Sequence, residues 1–212
     1  MFALVESGTI TQFPKGNKGI TIGENQYPSS IYTLWTEAER NAIGIYTVEI
    51  DSTNRKDEEF YINTNITYAF GSGKVTGSYG TATAKAIADA DAVDDSGNKL
   101  KDAEGNQIIN YGLKHYAKEQ AKKTAHDLIK RFGWLVQRVT MDSSKTIPSA
   151  VITYCANIRT DCANIITAID NASDMTAFKA LYQDTYNSDG SVNVVARINR
   201  WSDDTNVQQY VR

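Results

Sequence analysis

The stretch that decides the fold is "WTEAERNAIGIYTVEI", residues 35–50. Thr36 and Glu39 have the spacing of a capping box, in which each side chain accepts a hydrogen bond from a backbone N–H at the start of a helix. We expect a helix of about two turns that ends at Gly44, because glycine readily adopts the left-handed conformation found after helices. The residues that follow, 45–50, alternate apolar and polar side chains and predict a strand. A short capped helix therefore leads into a strand.

Further strands are predicted in the first half of the chain. Residues 2–5 and 9–13 flank a turn that contains Gly8, which is typical of a β-hairpin. A second β-rich segment covers 59–70, and a run of glycine, serine and threonine follows it. Such composition favours exposed strands joined by turns.

The second half of the chain has helical periodicity. One apolar stripe consists of Leu113, Ala117, Ala121, Ala125, Leu128 and Phe132. A second helix should begin near Pro148, and its apolar seam consists of Val151, Cys155, Ile158, Cys162, Ile165 and Ile169. A seam with steps of three and four packs against another helix, either in the same chain or in a second copy. A third, short helix is predicted after Ser173 as its cap.

The sequence thus predicts an α+β fold, with an N-terminal β-rich module that includes a short capped helix, followed by a C-terminal antiparallel helical hairpin. The expected boundaries are 1–84 for the β-rich module, 85–110 for an acidic, turn-rich linker or hairpin, 111–183 for the helical hairpin and 184–212 for a polar tail. An EF-hand loop in the acidic segment is disfavoured, since a loop starting at Asp94 would place Lys99 where glycine is required. A solvated hairpin is the favoured interpretation.

Composition narrows the possible functions. The net charge of −3 over 212 residues gives no reason to expect nucleic-acid binding. The N-terminus lacks the basic region of a signal peptide, and no apolar run approaches the roughly 20 residues of a membrane span. Cys155 and Cys162 stand about 10 Å apart along one helix, too far for a disulfide. His115 and His126 are about 16 Å apart along another helix, so they cannot share one metal. We predict no cofactor.

The motifs of the common catalytic classes are missing from the sequence: it has no glycine-rich phosphate loop, no G-x-S-x-G elbow and no H-E-x-x-H. We therefore predict that the chain is not an enzyme and assign no catalytic or metal-binding residue. Exposed aromatic side chains and an unpaired helical seam are common at protein interfaces. On that basis the candidate interface residues are Trp201, Cys155, Ile158, Cys162 and Trp35.

Several short blocks, in a fixed order, resemble a family of tailed-bacteriophage tail proteins. The family opens on an "ALV-x-x-G-x-I" strand pair and an "E-R-x-x-x-G-I-Y-x-V" segment, and its second half carries a "W-x-x-x-R … IP … YR … VR" helical pair. The matching blocks here are Met1–Ile10 with Phe13-Pro14, Glu39–Val48, Leu128-Ile129, Trp134–Arg138, Thr146–Pro148, Thr153-Tyr154 and Ile158-Arg159. The resemblance covers roughly 1–50 and 111–182 and departs at Cys155, where the family commonly has arginine.

The resemblance implies a non-enzymatic structural component of a bacteriophage virion tail, an adaptor or fibre-associated subunit that acts through protein–protein contacts. It implies other virion tail proteins as partners, a homo-oligomer in a symmetric assembly, and location in the virion tail. Composition and charge add the expectation of synthesis in the host cytoplasm, with no nucleic-acid or membrane partner. One alternative is a tail-fibre assembly chaperone that is absent from the mature particle. Another is a module that binds carbohydrate on the host surface.

Overall fold

The computed structural model describes residues 1–211 and has the predicted α+β fold, with a mixed sheet in the N-terminal part and a helical C-terminal region. The chain divides into two compact units, Met1–Ala84 and a second that starts at Lys85. The first unit contains β1 (Phe2–Glu6), β2 (Thr9–Gln12), β3 (Ile20–Ile22), β4 (Asn25–Tyr27), α1 (Ile31–Leu34), α2 (Glu37–Ala42), β5 (Ile45–Asp51), β6 (Tyr61–Ile62), β7 (Ile66–Gly71), β8 (Lys74–Tyr79) and β9 (Thr83–Ala84).

The second unit is mainly helical. It contains β10 (Ala90–Asp91), β11 (Ile109–Asn110), α3 (Leu113–Lys130), α4 (Gly133–Met141), α5 (Ser149–Asn171), α6 (Met175–Ala180), β12 (Thr185–Tyr186) and β13 (Val192–Val194). Two 3-10 helices, Arg197–Asn199 and Thr205–Tyr210, follow the last strand.

The predicted capping box and the strand after it are confirmed. The Glu39 N–H donates to Thr36 Oγ1 at 3.3 Å, and the Thr36 N–H donates to Glu39 Oε2 at 2.8 Å. Gly44 has a φ of +84°, and a Cβ added there would lie 2.6 Å from the Val5 carbonyl oxygen. Only glycine fits this turn, which places β5 beside β1.

The main sheet has five strands in the order β2-β1-β5-β8-β7. The β1–β2 hairpin turns at Ser7 and Gly8, both with positive φ, as a two-residue hairpin turn requires. β5 and β8 run parallel, with Val48 opposite Val75, and the other neighbours in this sheet are antiparallel. Apolar side chains pack on both faces of the sheet at β1 and β5, because alternate residues of these strands enter two separate core clusters.

The β-rich segment predicted at 59–70 is interrupted rather than continuous. β6 and β7 are separated at Asn63–Asn65, where side chains bind backbone groups outside the strand. Asn63 exchanges hydrogen bonds with the backbone of Lys56, and Thr64 Oγ1 accepts from the Gly80 N–H at 2.7 Å. These local polar contacts replace the hydrogen bonds of a longer strand.

The helical hairpin of the second unit is antiparallel. Lys118 Nζ lies 3.0 Å from Asp170 Oδ1, which joins the start of α3 to the end of α5. The buried side chains of α3 are alanines 117, 121 and 125. Those of α5 are Val151, Tyr154, Ile158, Cys162, Ile165 and Ile169. The seam of α5 is therefore buried within the chain, with α3 as its main partner among the helices.

Two features of this unit differ from the sequence prediction. The cap of α6 is Asp174, whose Oδ1 accepts from the Ala177 N–H at 2.8 Å, so the prediction of Ser173 was wrong by one residue. The segment expected to form a polar tail folds against the helices. Val207 is 1% exposed, and Trp134 Nε1 donates to the Tyr210 carbonyl oxygen at 3.0 Å.

The acidic segment before α3 contains two similar turns eight residues apart. In the first, Asp94 accepts hydrogen bonds from the Ser96 and Asn98 backbone, and Asp102 does the same in the second. Ala92, Leu100 and Ile108 close a ring of three main-chain hydrogen bonds, in which each N–H donates to the carbonyl oxygen of the next residue in the ring. We call residues 89–110 the acidic turn segment.

Candidate functional site

The five residues predicted to form an interface lie in different environments. Ile158 and Cys162 are buried in the helical unit, 0% and 9% exposed, so the surface does not present them to another protein. Trp35 is half-buried and packs edge-on against Tyr27 with ring centroids 5.9 Å apart. Trp201 is half-buried beside a shallow depression. Cys155 is the one that lines an apolar groove.

This groove lies between the end of α3, α4 and the start of α5 and has a volume of about 290 Å³. Its apolar lining consists of Ile129, Phe132, Val136, Ile147, Val151 and Ile152, with Cys155 beside them. Val136 and Ile152 are each 57% exposed, which is high for aliphatic side chains. We call this surface the helical groove.

A polar network lies beside the groove, at the end of α3. Arg131 follows the last residue of α3 and donates through Nη2 to Tyr154 Oη at 3.1 Å and to Asp204 Oδ2 at 3.0 Å. The Tyr154 ring packs edge-on against Phe132, with centroids 5.7 Å apart. The C-terminal segment thus ties α3 to α5 through one guanidinium group.

The electrostatics of this network follow from its contacts. Burial raises the pKa of the Tyr154 hydroxyl, so it remains a neutral hydrogen-bond partner. Hydrogen bonds from Gln208 and from Arg131 lower the pKa of Asp204. The carboxylate therefore stays ionised beside the guanidinium at neutral pH.

The rim of the helical groove is cationic. Lys130 and Arg159 line it, and no carboxylate does. Both side chains are exposed, and neither forms a salt bridge within residues 1–211. Burial raises the pKa of the Cys155 thiol, which Arg159 lowers by a smaller amount, so the thiol is neutral near pH 7. The site offers an apolar floor between two positive charges that form no salt bridge with the described residues.

Val136 and Ile152 were not among the predicted interface residues, because that prediction rested on the apolar seam of α5 and on tryptophan side chains. Ile152 directly follows the seam residue Val151 and therefore falls on a neighbouring face of α5. An apolar side chain beside a complete seam was the available signal. That signal indicates a groove only together with α4, a helix that was not predicted from the sequence.

Two further features bear on the kind of site. Across residues 1–211, no cluster of three or more His, Cys, Asp or Glu side chains is arranged to hold a metal ion. None of the helices in this range combines the length and the apolar character needed to cross a membrane.

Comparison with known proteins finds no counterpart: no family model, no curated protein and no solved structure matches the chain.

Proposed function

We propose that the chain is a non-enzymatic structural component of a bacteriophage tail, an adaptor or fibre-associated subunit that works through protein–protein contacts. The observation that carries this proposal is the helical groove, an open apolar surface with exposed Val136 and Ile152. The resemblance of the short sequence blocks to tail proteins supplies the biological setting.

The size and chemistry of the groove favour a protein partner. Its volume of about 290 Å³ is just below the range for small-molecule pockets, about 300–1,000 Å³. It is lined almost entirely by aliphatic and aromatic carbon and has few polar groups that could orient a small ligand. Surfaces of this kind bind a few apolar side chains of another protein.

The test is quantitative mass spectrometry of density-purified particles of the phage that encodes the chain, compared with the infected-cell lysate. A tail component is present in particles at a fixed copy number that matches the symmetry of a ring or fibre. Abundance in the lysate together with absence from particles would refute the structural role and favour an assembly chaperone.

A pair of variants links the result to the groove. Val136→Asp places a charge on the apolar floor, whereas Met141→Asp changes the last residue of α4, which is 87% exposed and lies outside the groove lining. We expect particles to incorporate Met141→Asp normally and to lose Val136→Asp. Equal incorporation of both would show that the groove makes no contact in the tail.

A further inference from the structure

The acidic turn segment carries the negative charge that would complement the cationic rim of the helical groove. Residues 89–110 carry six carboxylates and two lysines, a net charge of −4. Asp95 and Glu104 sit in its two turns, both exposed, and neither joins a salt bridge within residues 1–211. Leu100 and Ile108 are 41% and 42% exposed and are neighbours, because the Ile108 N–H donates to the Leu100 carbonyl oxygen.

The two surfaces lie at opposite ends of α3. The acidic turn segment is attached at the N-terminal end, where the Gly112 N–H donates to Asp89 Oδ1 at 2.8 Å. The helical groove begins at Ile129, in the last turn of the same helix. A helix of 18 residues is about 27 Å long. Each turn has seven residues between two ring members and folds back on itself, so its tip extends only about 10 Å beyond the ring, and the segment does not reach the groove of its own chain.

We propose that the helical groove of one copy binds the acidic turn segment of a second copy. Leu100 and Ile108 contact the apolar floor, while the Asp95 and Glu104 carboxylates face Lys130 and Arg159. This inference rests on the proposed structural function, in which copies of the chain meet in a symmetric assembly. The inference specifies which two surfaces meet. Because these two surfaces differ, the contact is head-to-tail.

A head-to-tail contact has a definite consequence for assembly. Each copy carries one groove and one segment, so each can bind two neighbours through different surfaces. Such heterologous contacts build a closed ring when the rotation between copies closes, and a filament when it does not. Rings and filaments are both compatible with a tail component.

The test is charge reversal on each side, followed by recombination of the reversed surfaces. The groove variant is Lys130→Glu with Arg159→Glu, and the segment variant is Asp95→Lys with Glu104→Lys. All four side chains are exposed, so folding should be preserved, which circular dichroism checks. Association of the full-length protein is measured by sedimentation velocity at several concentrations and salt levels.

We expect the unmodified protein to self-associate, and either variant alone to weaken association at least tenfold, since two attractions become repulsions. In an equimolar mixture, the unmodified groove of the segment variant can bind the unmodified segment of the groove variant, and the two reversed surfaces attract each other as well. The mixture should therefore recover assemblies in which the two variants alternate. The chain carrying all four changes also restores assemblies, because both surfaces are complementary again. Lys15→Glu with Lys18→Glu, two exposed lysines of the other unit, is the matched control and should have no effect.

Three results would overturn the inference. The first is a protein that remains monomeric up to about 1 mM, where even weak contacts are populated. The second is association that neither variant weakens, and the third is failure of the four-fold variant to recover it. Because the assay uses purified protein only, its failure leaves incorporation into particles as a separate result that still tests the proposed function.

Discussion

Replacing Ile158 by alanine tests whether the seam of α5 is part of the core of the single chain. The side chain is 0% exposed, and the substitution removes three carbon atoms from it. At about 0.8 kcal/mol for each buried carbon, the lost transfer free energy is about 2.4 kcal/mol. The cavity left between tightly packed helices adds to this, so we expect the free energy of unfolding to fall by about 3–4 kcal/mol.

The matched control is Ile152→Ala, the same chemical change on the same helix at a side chain that is 57% exposed. Less than half of the transfer term applies there, and the higher helix propensity of alanine offsets part of it, so the expected loss is about 0.5 kcal/mol. Urea unfolding followed by the helical circular dichroism signal at low protein concentration measures both. Equal small effects, or a loss for Ile158→Ala that appears only at concentrations where copies associate, would refute burial of the seam within one chain.

Three further changes test other parts of the fold. Gly44→Ala should lower the free energy of unfolding by about 3 kcal/mol, because the new Cβ clashes with backbone in addition to the strain of the left-handed conformation. At Gly23 the new Cβ meets open space, so Gly23→Ala should lower it by about 1 kcal/mol. Similar losses for the two variants in thermal unfolding would exclude the clash. Thr36→Ala removes the hydrogen bond that Thr36 Oγ1 accepts from the Glu39 N–H and should lower the free energy of unfolding by about 1 kcal/mol, while an unchanged value would show that this side-chain cap is not needed. A hydrogen bond from Gln208 lowers the pKa of Asp204, so the stability this carboxylate contributes is present above its unfolded pKa of about 3.9 and is lost as the pH falls through the lower folded value. Tryptophan fluorescence should therefore report loosening of the C-terminal segment below about pH 4, and Asp204→Asn should reduce that pH dependence; an identical acid transition in the variant would contradict this role.

Local signals made part of the fold predictable. The capping box at Thr36 and the turn at Gly44 depend on residues within a few positions of one another, so the sequence contains all the information they need. The apolar stripes of α3 and α5 are periodic over several turns, which identifies long helices reliably.

The remaining parts depend on contacts between distant segments. The parallel pairing of Val48 with Val75 is a choice among several strands of similar composition, and local patterns do not specify it. The C-terminal segment is polar in sequence, yet Val207 anchors it against the helices. One buried valine among polar neighbours gives too weak a pattern to predict docking.

The candidate site was predictable only in part for the same reason. Cys155 was identified through its position on α5, and the structure places it in the helical groove. The groove also needs α4, which begins at Gly133 without a side-chain cap. The basic rim at Lys130 and Arg159 joins residues from two helices and exists only after they pack.

The hydrogen-bonded ring of Ala92, Leu100 and Ile108 constrains how this segment can vary among related chains. Each of the three residues donates its N–H to one of the other two and accepts a hydrogen bond from the third through its carbonyl oxygen. The ring is therefore complete, and a further eight-residue repeat would find no main-chain N–H or carbonyl group of the ring left to bind. Gly97 and Gly105, in contrast, occupy turns where a side chain would meet nothing within 4 Å. Insertions and deletions during evolution should therefore accumulate at these two turns, while the number of repeats stays constant.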